Sequence, residues 1–436
     1  MLFYSNIYIF FFLPILLITY YLIFKDNNNL KKIIILFSIV FYAWWNVIYL
    51  PLIIIIIIIN YNFGNLIIRS LNSKKTLLIL AVFINILNLF TFKYLNFFIE
   101  NFNIIFNLNL KSIGLEFPLG ISFYTFQIIT YLSDCYYGNI KKSKFFDFFL
   151  FVIFFPQLVA GPIIRFNFLM AQFTDKINNF NINNIFNGLI LFFIGFIKKV
   201  YLSNQLSKFV DNGFANFNNL TLIDSWFTSI SFSFQFYFDF SGYVDMALGS
   251  ALLLNLKLPI NFNSPFKAHN LINFWQRWHI TLSNFIMNYM YFPLLKNYKI
   301  SNFYFSLSLT ILIFSIIGFW HGPSWMFIIF GIFHGVGVVF NHLLNRFTNF
   351  SFPKIFSILL TFLYVNFTFI FFRSENIFQS NKIIYNMFNF NNLGNFDYDI
   401  TFLMFFTISF ILIFFTKNSN EIINYLTSKN SLNDQR

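Results

Sequence analysis

The run LIIIIIIIN, residues 52–60, contains eight apolar residues in a row before its asparagine. The run IYIFFFLPILLITYYLIF, residues 7–24, is equally free of charge, and similar stretches recur along a chain of 436 residues that is 58% hydrophobic and only 10% charged. A soluble globular protein needs more charge on its surface. A helix needs roughly 20 apolar residues to cross a bilayer, so we expect an all-α, polytopic integral membrane protein with about 11 or 12 transmembrane or re-entrant helices.

No soluble domain interrupts the apolar stretches, which predicts a single membrane domain over residues 1–436, with a motif-rich core at 41–373 and a polar tail at 417–436. Two stretches, FPLGISFYTFQ (117–127) and FFPQLVAGPIIR (154–165), carry proline, glycine and polar residues at membrane depth. Irregular backbone is tolerated there only where protein or a water-filled cavity covers it. The sequence therefore predicts a cavity, which an inert anchor does not need.

The formal net charge of +13 raises the possibility of a nucleic-acid surface, but the positive-inside rule explains it more simply. The early basic residues form three clusters: Lys25, Lys31 and Lys32; Arg69, Lys74 and Lys75; and Lys141, Lys142 and Lys144. Placing all three clusters in the cytoplasm gives a topology with the N-terminus outside. The first apolar segment has no basic region before it and no small-residue cleavage site after it, as expected of a retained anchor.

The segment FQFYFDFSGYVDMALG (234–249) carries two carboxylates, Asp239 and Asp245, among apolar neighbours. Ionisable residues inside spans are costly and are usually functional or paired. Because the carboxylates are six residues apart, one helix would place them on different faces, which argues against a shared acid–base pair. The alternatives are a functional role and a structural helix whose carboxylates pair with arginine or lysine elsewhere.

The stretch FWQRWHITLS (274–283) gathers two tryptophans, an arginine and a histidine. As a continuous helix it would place Trp275, Trp278 and His279 on one face and Arg277 on another. His279 would then face a pocket lined by indole rings, while Arg277 would meet an acidic residue or a phosphate. A lone histidine among aromatic residues is often structural, so both interpretations of His279 stay open.

The stretch FWHGPSW (319–325) predicts a break between two helices. Pro323 disfavours helix at Gly322 and is a favourable first helical residue, so one span should end near His321 and the next should begin at Pro323. His321 would lie beside the positive end of the following helix, which favours the neutral imidazole that a general base needs. A structural role for His321 is the alternative.

The helix expected after this break contains Gly331 and Gly335, a small-xxx-small spacing typical of close helix packing. His334 and His342 have no comparable context, and we interpret both as structural or interfacial. No metal site is expected, since the histidines lack HExxH spacing, and Cys135 is the only cysteine, which excludes an intrachain disulfide. GxSxG, P-loop and dinucleotide-binding motifs are absent, which leaves a histidine-based site in a membrane cavity.

Eight motifs occur in the order typical of bacterial membrane-bound O-acyltransferases, and they cover most of the chain from Phe41 to Arg373. They are FYAWW, FKYLNFF, FPLGISFYTFQ, FFPQLVAGPIIR, FQFYFDFSGYVDMALG, FWQRWHITLS, FWHGPSW and FFRSEN. The chain most resembles the alginate O-acetyltransferase branch, which includes peptidoglycan and other polysaccharide O-acetylases. The resemblance implies a funnel of helices with a thin central partition.

The resemblance also implies which residues act. The invariant histidine of the family matches His321, and its second functional histidine matches His279. We expect His321 to act as general base, and His279 to orient the acceptor or to stabilise the developing oxyanion. The residues expected to bind substrate are Trp275, Trp278 and Trp320. The residues expected to support the site are Asp239, Asp245 and Arg277.

By the same resemblance, the protein takes an acetyl group from acetyl-CoA, a substrate rather than a bound cofactor. It delivers this group to an extracytoplasmic polysaccharide, such as an alginate-like exopolysaccharide or peptidoglycan. A secreted SGNH-type partner protein is implied, and the expected location is the lipid bilayer of a bacterial cytoplasmic (inner) membrane. The alternatives are D-alanyl transfer to teichoic acid and, in another class, a solute transporter or channel.

Overall fold

The computed structural model describes residues 1–23, 26–173, 177, 179–297, 302–348, 352–394 and 397–433. These residues form helices and loops and contain no strand, which confirms the all-α prediction. The chain divides into two compact units, residues 1–193 with 244–259 and residues 194–243 with 260–436. The prediction of one functional domain with a polar tail stays a prediction.

The α-helices of the described residues alternate between long apolar elements and short pieces. In chain order they are α1 (Leu13–Ile18), α2 (Asn27–Ala43), α3 (Leu50–Arg69), α4 (Lys74–Lys93), α5 (Leu95–Phe106), α6 (Ile121–Tyr136), α7 (Phe145–Ile153), α8 (Phe155–Leu158), α9 (Phe166–Met170), α10 (Ile182–Phe196), α11 (Asn204–Ala215), α12 (Leu222–Leu253), α13 (Leu271–Trp275), α14 (Ile280–Ile286), α15 (Phe292–Asn297), α16 (Phe303–His321), α17 (Trp325–Phe347), α18 (Lys354–Arg373), α19 (Ile377–Met387), α20 (Ile400–Phe414) and α21 (Ser419–Asn433). Turns of π-helix extend or join several of them, including Ile197–Ser203 between α10 and α11.

Six helices of the described residues are long and apolar enough to cross a membrane. They are Val47–Arg69, Lys74–Lys93, Ile182–Ala215, Phe303–His321, Trp325–Phe347 and Lys354–Arg373. A seventh span results if Ile400–Phe414 and Ser419–Ser428, which meet at a bend of 56°, cross together. Within the described residues, six or seven of the 11 or 12 expected spanning or re-entrant elements are thus long enough to be full-length spans, because breaks divide several other apolar stretches into short helices.

In the first unit, α3, α4 and α6 pack together around buried polar contacts. Asn60 and Asn85 donate to each other's side-chain oxygen at 3.1 and 2.6 Å, so these buried amides satisfy each other. Gly64 allows α6 to approach α3, since a Cβ at this position would lie 2.5 Å from a ring carbon of Tyr131. The apolar helices are therefore joined by specific contacts as well as by aliphatic packing.

The two irregular stretches predicted from the sequence contact each other within the first unit. Gly120 adopts a φ of +70°, and a Cβ there would lie 2.2 Å from the carbonyl oxygen of Leu158. Both the positive φ and the close backbone approach require glycine. Most residues of α6 and all of α8 are buried, so protein covers this irregular backbone, and the predicted cavity stays a prediction.

In the second unit, α16 and α17 form a hairpin with closely packed backbones. A Cβ on Gly331 would lie 2.2 Å from the carbonyl oxygen of Phe314 and 3.1 Å from the Cα of Gly318. A Cβ on Gly335 would lie 2.9 Å from the Cα of Ile311. The close packing predicted from the small-xxx-small spacing is therefore confirmed, and it holds His321 at the end of the hairpin.

Replacing Gly331 with alanine is expected to lower the melting temperature of the detergent-solubilised protein, because the added methyl group meets a backbone carbonyl that cannot move aside. Overpacking of this kind costs about 1–3 kcal/mol. Gly114→Ala is the matched control, since no atom lies within 4 Å of a Cβ at that position. Equal melting temperatures for the two variants would contradict the packing described for the hairpin.

Candidate active site

The backbone around His279 is broken rather than helical. Helix α13 ends at Trp275, α14 begins at Ile280, and His279 itself has φ 47° and ψ 51°. The continuous helix that would place Trp275, Trp278 and His279 on one face therefore does not form. A left-handed conformation is uncommon for a residue other than glycine, and it persists only where the surroundings hold it.

Asn261 holds this break from a loop 18 residues earlier. Its backbone carbonyl accepts from the Ile280 N–H at 3.0 Å. Its side-chain Oδ1 accepts from the backbone N–H and the hydroxyl of Thr281, at 3.1 and 3.0 Å, and lies 3.2 Å from Nδ1 of His279. Because the backbone N–H of Thr281 can only donate, the side-chain atom that faces it is the amide oxygen.

This arrangement assigns the tautomer of His279. An amide oxygen only accepts, so Nδ1 carries the proton and donates it to Asn261, which leaves a lone pair on Nε2. His279 is 1% exposed, and among the described residues its Nε2 has no hydrogen-bond partner. Buried polar atoms are normally paired, so this acceptor is suited to a donor supplied by a ligand.

The surroundings of His279 favour its neutral form. His279 lies between α13 and α14, outside the six spanning helices, and burial lowers the pKa of its imidazole to about 3, with repulsion from a charged His321 as the second cause. The ring of Phe240 packs edge-on against the imidazole at a centroid distance of 4.9 Å. The nearest aromatic contact to His279 is therefore a phenylalanine rather than the predicted indole wall.

His321 is the last residue of α16, as predicted, and the next helix starts later than predicted. Helix α17 begins at Trp325 instead of Pro323, because Ser324 is its N-cap and accepts from the backbone N–H of Met326 at 3.2 Å. The two residues between His321 and this cap turn the chain sharply. His321 is half-buried at the turn, close to the start of α17.

Aromatic rings connect His321 to the His279 segment. The His321 ring lies 5.0 Å from Trp320 and 5.3 Å from Phe372, and the Phe372 ring lies 4.8 Å from Phe236. Phe236 in turn lies 5.3 Å from Trp278. Trp278 directly precedes His279, so these ring contacts place both predicted catalytic histidines in the same region of the second unit.

His334 lies in the same region, but both of its ring nitrogens are occupied. The Trp275 indole N–H donates to Nδ1 at 3.3 Å, and Nε2 lies 2.9 Å from the hydroxyl of Thr368. That hydroxyl donates to the carbonyl of Val365, so Nε2–H donates to it. A fixed, neutral and fully hydrogen-bonded imidazole agrees with the structural interpretation of His334. The indole of Trp275 therefore makes a structural contact with His334.

Thr368→Val is expected to destabilise the protein while it leaves the activity of the folded fraction nearly unchanged. The substitution leaves the buried Nε2–H of His334 without an acceptor, which costs about 1–3 kcal/mol. Thermal unfolding and turnover of the same preparation measure the two effects. Lost turnover at an unchanged melting temperature would mean that His334 belongs to the chemistry instead.

The remaining predicted residues occupy different settings. Trp278 is 4% exposed and stacks on Phe274 at 5.7 Å, and Trp320 is 8% exposed beside His321. Arg277 donates to the side-chain oxygen of Asn273 at 3.0 Å and to the carbonyl of Asn263 at 3.2 Å, so its partners are neutral oxygens rather than an acid.

The two carboxylates of α12 lie in different units. Asp239, in the second unit, forms an ion pair with Lys199 and accepts from the Ser203 hydroxyl at 3.2 Å, which is the pairing that one alternative predicted. Asp245 is 5% exposed and belongs to the first unit. The described residues contain no group of three or more His, Cys, Asp or Glu arranged to hold a metal ion.

Three residues of the site escaped sequence reasoning: Asn261, Phe240 and Phe372. The chain is rich in asparagine and contains 74 phenylalanines, so composition does not distinguish these positions. For Phe240 and Phe372 the motifs FQFYFDFSGYVDMALG and FFRSEN were signals, since both were among the eight that carried the family resemblance. For Asn261 only the three-dimensional contact with the His279 segment reveals its role.

Residues 83–380 match the model of MBOAT, the membrane-bound O-acyltransferase family. The chain is 42% identical over 351 residues, 74% of its length, to a protein named peptidoglycan O-acetyltransferase from Helicobacter pylori. It is 36% identical over 328 residues, 72% of its length, to a probable alginate O-acetylase AlgI from Pseudomonas putida. The chain spans 66% and 65% of these two relatives, respectively, just under two thirds of their length.

The chain is also similar, at lower identity, to a protein named for a different transfer reaction. The chain is 29% identical over 239 residues, 51% of its length, to a teichoic acid D-alanyltransferase from Streptococcus thermophilus, and it covers 56% of that protein. The higher identity and coverage lie with the two O-acetylation relatives.

Proposed function

The chain belongs to the membrane-bound O-acyltransferase family, and from this premise we propose that it is an O-acetyltransferase of a bacterial cytoplasmic membrane. In this proposal it moves an acetyl group from acetyl-CoA on the cytoplasmic side to a hydroxyl group of an extracytoplasmic polysaccharide. The printed names of its relatives, a peptidoglycan O-acetyltransferase and a probable alginate O-acetylase, support peptidoglycan or an alginate-like polymer as the acceptor.

The observation that carries the proposal is the buried, unpartnered Nε2 of His279, in a segment that aromatic contacts link to His321. Acyl transfer from a thioester to an alcohol needs a group that takes the hydroxyl proton and a site shielded from water. The lone pair of the buried His279 imidazole, packed against Phe240, provides both. Water is kept away from the thioester, which would otherwise hydrolyse.

In the proposed reaction His321 takes the proton of the acceptor hydroxyl as its oxygen attacks the acetyl carbonyl. The C–O ester bond forms, the C–S bond breaks, and the proton passes to the departing thiolate of coenzyme A. His279 accepts a hydrogen bond from a substrate donor through Nε2, which orients that substrate. Trp278 and Trp320 would form apolar walls beside the reacting groups, and Trp275 would hold His334.

The same lone pair supports a second distribution of roles, in which His279 takes the proton and His321 positions the thioester. Both assignments of roles need both imidazoles. They differ in which histidine variant changes the pH dependence of turnover.

The proposal also places the N-terminus outside and includes an extracytoplasmic SGNH-type partner that carries the acetyl group to the polymer. Co-purification of such a protein with the tagged chain tests this part.

Membranes containing the protein, incubated with acetyl-CoA labelled in its acetyl group, test the proposal directly. We expect base-labile label in the polysaccharide and one free coenzyme A thiol for each ester formed. Transfer from a D-alanyl carrier protein, with acetyl-CoA inert, would favour the D-alanyl alternative suggested by the 29% identical relative. Solute flux without thioester consumption would instead identify a transporter.

A further inference from the structure

A break in the second unit, residues 415–418 between α20 and α21, attracts positively charged side chains. Lys198 Nζ donates to the Ser419 hydroxyl at 2.8 Å and lies 5.9 Å from the ring centroid of Tyr237. Lys267 Nζ donates to the backbone carbonyl of Thr416 at 2.6 Å. Two lysines from distant segments therefore meet one short stretch of chain.

Arg277 joins the same place through the loop that precedes it. The side-chain amide of Asn418 donates to Asn263 Oδ1 and Ser264 Oγ, both at 2.9 Å. Arg277 donates to the carbonyl of the same Asn263 at 3.2 Å. Lys267 thus contacts the break itself, Lys198 contacts the residue directly after it, and Arg277 is linked to it through Asn263. We call these three residues the basic cluster.

The contacts of Lys267 and Arg277, two residues of the basic cluster, leave their positive charge to be balanced. Within the described ranges neither Lys267 nor Arg277 forms an ion pair, and both are half-buried and bound to neutral oxygens. Lys199 nearby differs, since Asp239 pairs with it. The carboxylate of Glu421 is used by its own helix, because it accepts from the Asn418 backbone N–H at 2.9 Å.

Half-buried cations that are already oriented by neutral oxygens form a suitable site for a polyanion. Charge-assisted hydrogen bonds from lysine and arginine to phosphate are among the strongest in proteins, and arginine binds phosphate with two parallel N–H groups. The positive-inside rule accounts for basic residues in cytoplasmic loops, but it would not gather them at one chain break. The arrangement therefore indicates a ligand with several phosphates.

The basic cluster is continuous with the His279 segment. Asn263, which contacts Arg277, lies two residues after Asn261, which holds His279. The backbones of the two segments also bond to each other, from Asn263 N–H to the Arg277 carbonyl at 2.9 Å and from Ile280 N–H to the Asn261 carbonyl at 3.0 Å. A molecule with phosphates at one end and a reactive group at the other could contact both places.

We propose that the basic cluster binds the phosphate groups of a coenzyme A thioester whose acyl end lies at His279 and His321. This inference rests on the proposed function and adds to it the donor's phosphate-binding residues. The three phosphates of coenzyme A match several cations, whereas a carrier-bound phosphopantetheine offers one.

The test compares acetyl-CoA with S-acetyl-N-acetylcysteamine, a thioester donor that has no phosphate, on purified protein in neutral detergent. For the Lys198→Met/Lys267→Met double variant we expect KM for acetyl-CoA to rise at least about 10-fold, the effect of one lost charge-assisted contact. KM for the phosphate-free donor should stay unchanged. Lys354→Met, which removes the same charge at an exposed position, should change neither value.

Calorimetric binding of coenzyme A itself gives a readout that is independent of turnover. Weaker binding of coenzyme A by the double variant, with binding of pantetheine unchanged, supports the inference even if acetyl transfer fails. Equal affinity of wild type and double variant for coenzyme A overturns it. Loss of binding to phosphatidate-containing vesicles with coenzyme A affinity retained also overturns it, since the cluster would then serve a lipid headgroup.

Discussion

Replacing His321 with alanine is expected to abolish acetyl transfer while the protein remains folded in the membrane. His321 ends α16 at a turn and is half-buried, so its removal leaves the helix and its cap intact. General-base assistance contributes about 10²–10⁴-fold in rate, and a loss of that size reduces ester formation to background. The base-labile acetate content of purified polysaccharide, measured at equal membrane levels of protein, gives the result.

His342→Ala provides the matched control for this variant. His342 lies on α17, the other helix of the same hairpin, and its side chain is exposed. The same change of side chain there should leave acetate content at the wild-type value. Full acetylation by the His321→Ala protein would refute the assignment of the base, and equal losses in both variants would point to a general effect on the hairpin.

Replacing His279 with asparagine is expected to remove activity without the folding defect that alanine brings. Asparagine adopts the left-handed conformation at position 279 more readily than alanine, so it should keep the break between α13 and α14. It removes the imidazole Nε2, however, and with it the unpartnered acceptor. We expect turnover to fall by about 10²-fold or more, within the range of a lost acid–base or positioning group.

The comparison of His279→Asn with His279→Ala separates chemistry from backbone conformation. Both variants should lose turnover, and only the alanine variant should also show a melting temperature lowered by a strain of about 1–2 kcal/mol. Wild-type turnover in the asparagine variant would show that His279 supports the backbone and takes no part in transfer. A pH profile of residual turnover in each single variant assigns the base between the two histidines.

Much of the fold around the site could be predicted from local sequence. Pro323 and its neighbours placed the end of a helix at His321, and the spacing of Gly331 and Gly335 predicted the tight hairpin. These features depend on backbone sterics within a few residues. The start of α17 was misplaced by two residues because a serine cap at Ser324 prevailed over the preference of proline for the first helical turn.

The break at His279 could not be predicted in this way. Helical periodicity placed Trp275, Trp278 and His279 on one face, yet the segment leaves the helix where Asn261 supplies acceptors for it. Asn261 is distant in sequence and carries no motif of its own. Tertiary hydrogen bonds thus override local periodicity, and they also decide that Trp275 contacts His334 instead of His279.

The most direct test of the account is acetyl transfer by purified protein in vesicles, with labelled acetyl-CoA on one side and an oligosaccharide acceptor, together with any partner protein that co-purifies, on the other. The account predicts labelled ester on the acceptor with the wild-type protein and none with His321→Ala or His279→Asn. Ester formation by either variant at the wild-type rate, or thioester left intact while solute crosses the membrane, would contradict it.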